Sequence, residues 1–141
     1  MASPTQIREA VKTVLAGIDG LTVLTLPPET APATLPAVVI NAVSASFTTP
    51  QKREGQDVWE FDLLVLTSAA DYQRGQAALD EFLVAAGPKS IRAAIKSRAD
   101  LGLGPTTTAW VDGMTDYGPR GGPDQAQLAG ATLRLIVRTT G

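Results

Sequence analysis

A chain of 141 residues, 44% of them hydrophobic and 18% charged, is long enough to bury roughly two-thirds of its unfolded surface as one domain over residues 1–141 without any covalent staple. Its formal charge of -2 supplies no global positive field for nucleic acid or an anionic membrane. It holds neither cysteine nor histidine, which excludes thiolate nucleophiles, thiolate and imidazole zinc sites, and Ser-His-Asp or Cys-His catalysis.

Near the start, Ser3, Pro4 and Gln6 make a helix N-terminus, with Ser as N-cap, Pro at the first helical position and Gln three after the cap. Ile7, Ala10, Val11, Val14, Leu15 and Ile18 then repeat at three and four residues, so this helix is amphipathic. The segment MASPTQIREAVKTVL has no apolar signal region, and no run in the chain approaches a bilayer-spanning length. The expectation is a soluble protein made in a cytoplasm, with no membrane partner.

Asp19-Gly20 ends the helix and turns the chain into a short strand, Leu21 to Leu26. PPETAPATLP, residues 27–36, carries four prolines and favours an extended path over the surface, either as a stiff connector or as an arm on a neighbouring copy. A second strand is expected over Ala37 to Thr49, with Val39, Val43 and Phe47 on one face and Asn41 interrupting it. The charged loop PQKREGQ, with Lys52, Arg53 and Glu54, leads into a third strand. In that strand Trp59, Phe61, Leu63 and Val65 face one side, and Val58, Glu60, Asp62, Leu64 and Leu66 face the other.

The period then changes from two to helical. Tyr72, Leu79, Leu83 and Ala86 share a stripe with Ala78 and Phe82 beside it. Gly87-Pro88 stops that helix, and SIRAAIKSRA forms the next, with Ile91, Ala94 and Ile95 inward and Lys89, Arg92 and Lys96 as a basic stripe. After the loop DLGLGP, Thr106 to Tyr117 reads as a strand in which Gly113 marks either a bulge or a close approach of another backbone. GPRGGPD, with Arg120 at its middle, is a turn-rich loop, and Gln127 to Thr139 is the last strand. It alternates Leu133, Leu135 and Val137 against Thr132, Arg134, Ile136 and Arg138. The order α-β-β-β-α-α-β-β, with two hairpins, implies an α+β fold whose mainly antiparallel sheet has its helices packed on one face.

Glu60 and Asp62 are one strand period apart, so both carboxylates share a face. Such a pair serves acid–base chemistry, holds a hard cation, pairs with Arg134 or Arg138 on a neighbouring strand, or contacts another subunit. Leu64, Leu66 and Ile136 on that face make it too apolar for plain solvent, which favours a protein partner. Asp112, Asp116 and Asp124 match no calcium-loop spacing and read as turn residues; GPRGGPD lacks the features of a phosphate loop; Trp59 and Trp110 read as core. No enzyme signature, metal site or cofactor motif is found.

Taken together, IREAVKTVLAGI with the proline-rich TLPPETAPATLPAVVIN, the strand and helix FDLLVLTSAADYQRGQAALDEFL, and GPKSIRAAIKSRADLG resemble the tail terminator (minor tail) proteins of long-tailed bacteriophages, of the type infecting actinobacteria. The similarity covers nearly the whole chain in order. It implies a structural virion protein, not an enzyme, that forms a homo-oligomeric, commonly hexameric ring on the head-proximal end of the tail tube. Such a ring ends tube polymerisation, touches the tail tube protein and the head-tail connector proteins, and lets DNA pass without sequence-specific binding. A head closure or tube-forming protein is the neighbouring alternative, and a carboxylate-based enzyme the remote one. With this resemblance, Glu60, Asp62, Arg134, Arg138, Lys52, Arg53, Glu54 and Arg120 become candidate subunit or partner contacts.

Overall fold

A computed structural model describes residues 3–25, 36–47, 56–68, 72–120 and 128–140. Helix α1 (Pro4–Leu15) is followed by strands β1 (Thr22–Leu24), β2 (Ala37–Phe47) and β3 (Gln56–Ser68). Helices α2 (Tyr72–Leu83) and α3 (Ile91–Ser97) come next, and the chain closes with β4 (Thr107–Arg120) and β5 (Leu128–Thr140). The five strands form one sheet in the order β1-β2-β3-β5-β4, antiparallel throughout except for the β1–β2 pair. The α+β class and the element order are those expected from the sequence.

Local chemistry sets the helix starts. At α1 the Ser3 hydroxyl accepts from the Gln6 N–H, and the Gln6 side chain accepts from the Ser3 N–H, closing a capping box. At α3 the Ser90 hydroxyl accepts from the Ala93 N–H and donates to the Val84 carbonyl. Ser90 thereby caps one helix and satisfies a carbonyl just past the end of α2, which explains a polar side chain at a buried position.

One face of the sheet carries the core. Val38 and Ile40 of β2, Phe61, Leu63 and Val65 of β3, and Leu133, Leu135 and Val137 of β5 are buried against Ile7, Val11 and Leu15 of α1, Leu79 and Phe82 of α2, and Ile91 and Ile95 of α3. All three helices therefore pack on the same face. Burying a Leu or Phe side chain contributes about 1.5–3 kcal/mol each, so these positions dominate the stability.

Several local expectations need correcting. The first strand covers only Thr22–Leu24; there it runs parallel to β2, and Leu26 and residues 27–35 of the proline segment lie outside the described residues. In β2 the row Val39, Asn41, Val43 lies on the face away from the helices, because Val38 and Ile40 take the core positions. A bulge between Ala42 and Ser44 shifts the register, so the Phe47 backbone pairs with Asp57. Ala78 and Ala86 are exposed, since the core stripe of α2 runs through Leu79 and Phe82, with Ala86 beyond the helix end. Strand β4 continues past Tyr117 to Arg120, taking in the start of the expected GPRGGPD loop, because a second irregularity between Thr115 and Gly118 absorbs one extra residue and lets pairing resume.

The outer edge of β4 is closed by two hydrogen bonds and two bulges. The Ala109 N–H donates to the Ala99 carbonyl at 2.6 Å, and the Thr107 N–H to that of Gly104. Asp112 is the extra residue of the first bulge, beside the expected Gly113, and Asp116, with φ at 57°, sits in the second. Capping and bulging an edge strand discourages a second chain from extending the sheet there.

Replacing Leu135 by Ala should cost about 2–5 kcal/mol, the range for emptying a packed core position. Ser90→Ala should cost about 0.5–2 kcal/mol through the lost cap. Urea denaturation of both variants, followed by circular dichroism, checks the ranking.

Candidate functional site

The sheet face turned away from the helices is the place where the sequence-predicted residues meet. The antiparallel register sets Asp62 between Asn41 of β2 and Arg134 of β5, and Glu60 between Ser44 of β2 and Ile136 of β5. Arg134 does not close on the Asp62 directly opposite. Its Nε lies 3.0 Å from Glu60 Oε1, and its Nη1 lies 3.7 Å from Asp112 Oδ2 on β4. Diagonal neighbours across a sheet are within reach of long side chains, which a guanidinium exploits. The second Glu60 oxygen accepts from the Ser44 hydroxyl at 3.2 Å. A polar line thus crosses four strands: Ser44, Glu60, Arg134, Asp112.

Arg138 departs from the expectation of a carboxylate partner. It faces Val58 in register, and its guanidinium sits 5.5 Å from the centre of the Trp110 ring. Trp110 is therefore not a core residue: it stands beside Ile136 on the outward face and carries a cation. Trp59 is on the core side but only half-buried.

Asp62 is held above the ordinary carboxylate range. Burial on this partly apolar face is the largest cause, followed by the negative charge of Glu60; Arg134 pulls the other way, and Asp116 adds a further push upward. With Arg134 about half exposed and Glu60 about a third exposed, their ion pair contributes roughly 0–1 kcal/mol to folding. Half-buried Val58, Leu64 and Ile136 surround these groups, and Val39 and Leu66 on the same face are buried. None of these five belongs to the core cluster packed by the helices.

The remaining candidates are not brought to this face. Lys52, Arg53 and Glu54 lie outside the described residues, as does Asp124. Arg120 ends β4, where its backbone pairs with Leu128. The basic stripe of α3 is exposed; Lys89 pairs with Glu81 at 3.3 Å, whereas Arg92 and Lys96 make no ion pair among the described residues. Both line a groove of about 420 Å³ between α3 and β4, with Ile95, Ala109, Trp110 and Val111. A neighbouring groove of about 520 Å³ lies between α2 and β4, where the exposed Val84, Met114 and Tyr117 gather and the Tyr117 hydroxyl donates to Asp80 Oδ1 at 2.6 Å.

Sequence reasoning missed two members of the polar line. Ser44 reaches Glu60 only because of the bulge at Val43, for which the sequence carries no glycine or proline signal. Asp112 was expected in a turn role, although the adjacent Gly113 marked the bulge that places it. Among the described residues no group of three acidic side chains is arranged to hold a metal ion, and no helix is long and apolar enough to cross a membrane.

The chain matches no model of a known protein family and no curated protein.

The direction of the Asp62 shift fixes a pH dependence. A carboxyl whose folded value lies above its ordinary 3.8 favours the fold when protonated, and that contribution fades as pH rises through the folded value. Asp62→Asn should therefore melt higher than the parent at pH 7. The difference should vanish below the ordinary Asp range, as thermal melts across pH 3–7 would show.

Proposed function

We propose that this protein is a ring-forming tail terminator of a long-tailed bacteriophage. In this role it sits at the head-proximal end of the tail tube, ends tube polymerisation and offers a joining surface to the head-tail connector. The sequence resemblance supplies the identity of the assembly. The observation that carries the reading is the sheet face turned away from the helices, where the line Ser44–Glu60–Arg134–Asp112 runs among half-buried apolar side chains. A face of this mixed character suits contact with another protein, in which the apolar groups give affinity and the charges fix register. Glu60 and Asp112 are tied to serine and arginine, an arrangement that supports a structural role over acid–base catalysis for these two carboxylates.

In the ring, α+β subunits meet side to side through two different surfaces, and a heterologous contact of this kind closes by rotation. The homo-oligomer, commonly hexameric in the family the chain resembles, then meets the tail tube protein on one side and the connector on the other. DNA passes through its channel without sequence-specific binding, and the ring resides in the virion. The segments 50–55 and 118–124, charged and turn-rich in sequence, are assigned to the tube and the connector.

Electron microscopy of purified protein tests the role. Closed rings are the expected result, whereas open-ended tubes indicate a tube-forming protein and persistent monomers at high concentration exclude both. Replacing Arg134 and Arg138 together by Glu should abolish ring formation while the monomer keeps its circular dichroism spectrum. Sedimentation velocity showing unchanged assembly removes this face from the contact.

A further inference from the structure

The two outer edges of the sheet differ. On the β4 side the chain's own backbone occupies the edge, through the bonds from Ala109 to Ala99 and from Thr107 to Gly104. On the other side β1 is only three residues long and pairs with Ala37, Val38 and Val39. Beyond those pairs β2 runs on to Phe47 with β3 as its one neighbouring strand among the described residues. Burial changes at the same point. Residues 37–40 are buried, whereas Asn41, Val43, Ser44 and Ser46 are exposed and Ala42 and Ala45 are half-buried.

An edge of this kind presents main-chain N–H and C=O groups that water or another strand must satisfy. Lysine and proline guard such edges in many proteins, but Ala37–Phe47 holds no charged residue and no proline. The bulge at Val43 splits the edge; past it, residues 44–47 pair regularly with β3.

We infer that β2 of one copy pairs antiparallel with β2 of a second copy along residues 44–47, joining the two five-stranded sheets across a twofold axis. This goes beyond the ring reading, since the contact uses main-chain groups at the sheet edge and not the side chains of the outward face.

Three features select a second copy as the occupant. An antiparallel edge is its own complement under a twofold rotation. A register centred on Ala45 sets Ser44 opposite Ser46 of the second copy; the Ser44 hydroxyl donates to Glu60 and its oxygen is left to accept from that Ser46. The uncharged edge also meets its copy without the cost of like charges placed opposite each other. Finally, edges that read a foreign peptide add pockets for its alternate side chains. Here the flanking residues Ala42, Ser44, Ala45 and Ser46 are small, and the two grooves described above lie at the far edge, beside β4. Because that far edge is closed, the pairing stops at two copies and does not propagate from sheet to sheet.

Cross-linking tests the contact directly. The chain has no cysteine, so Ala45→Cys places a single thiol on the proposed axis. Directly opposed residues of an antiparallel pair have Cα atoms about 4.5–5.5 Å apart, within the span of about 4.4–6.8 Å that a disulfide bridges. Mild oxidation should therefore give a covalent dimer on non-reducing gels, while Ala78→Cys on the exposed side of α2 should give none. Sedimentation velocity should show a dimer for the parent and its loss in V43K/S46K, whose circular dichroism spectrum should match the parent. A folded V43K/S46K that still dimerises, or an Ala45→Cys protein that does not cross-link, overturns the pairing. A parent that shows no dimer overturns it as well; hydrogen exchange at residues 44–47 then tells an edge covered by the chain itself, with slow exchange, from one left for a strand of another protein. The ring reading survives any of these failures, because closed rings in micrographs and the Arg134 and Arg138 variant test it separately.

Discussion

Everything in this molecule depends on the pairing of β3 with β5. The ladder is antiparallel and unbroken from Gln56 opposite Thr140 to Ser68 opposite Leu128, and it joins the middle of the chain to its end. Side chains in a strand alternate, so a slip of one residue would exchange the two faces. Phe61, Leu63, Leu133 and Leu135 would move into solvent, and Glu60, Asp62 and Arg134 would enter the core. The transfer of that much apolar surface to water, and of charges away from it, makes the register unambiguous. The two hairpins hang from this pair on either side, and the three helices settle on the face it makes apolar.

The same alternation that builds the core leaves the opposite face with a charge pattern of its own. Arg134 reaches from β5 to Glu60 on β3 and Asp112 on β4, and Ser44 extends the line to β2. Exposed ion pairs contribute little to folding, so the line is poorly explained as glue for the monomer. It is better understood as a patterned surface whose fixed charges accept only a partner in the right register, as the proposed ring requires. The closure of the β4 edge fits that use: an assembling protein with an open edge would also aggregate through it.

Bulges decide which residues belong to that surface. Without the extra residue at Val43, Ser44 would not stand opposite Glu60; without the one at Asp112, that carboxylate would not lie within reach of Arg134. One bulge was legible, through Gly113, and the other was not, since Ala42, Val43 and Ser44 form an ordinary strand run. Arg138 and Trp110 show a similar limit. The sequence suggested a core Trp110; the strand register turns it to the outward face, and only the assembled sheet brings the guanidinium over the ring.

By itself the sequence determined what local physics controls: the capping box of Ser3 and Gln6, the alternation of β3 and β5, and the helical stripe around Leu79 and Phe82. These follow from nearest-neighbour hydrogen bonding and from hydrophobic period, which any single chain displays along its length. The strand order β1-β2-β3-β5-β4, the choice of Val38 and Ile40 over Val39 for the core, and the partnership of Arg134 with Glu60 and Asp112 were decided only in the tertiary structure. They arise from contacts between residues far apart in the chain, where a one-residue bulge is enough to change which side chains meet.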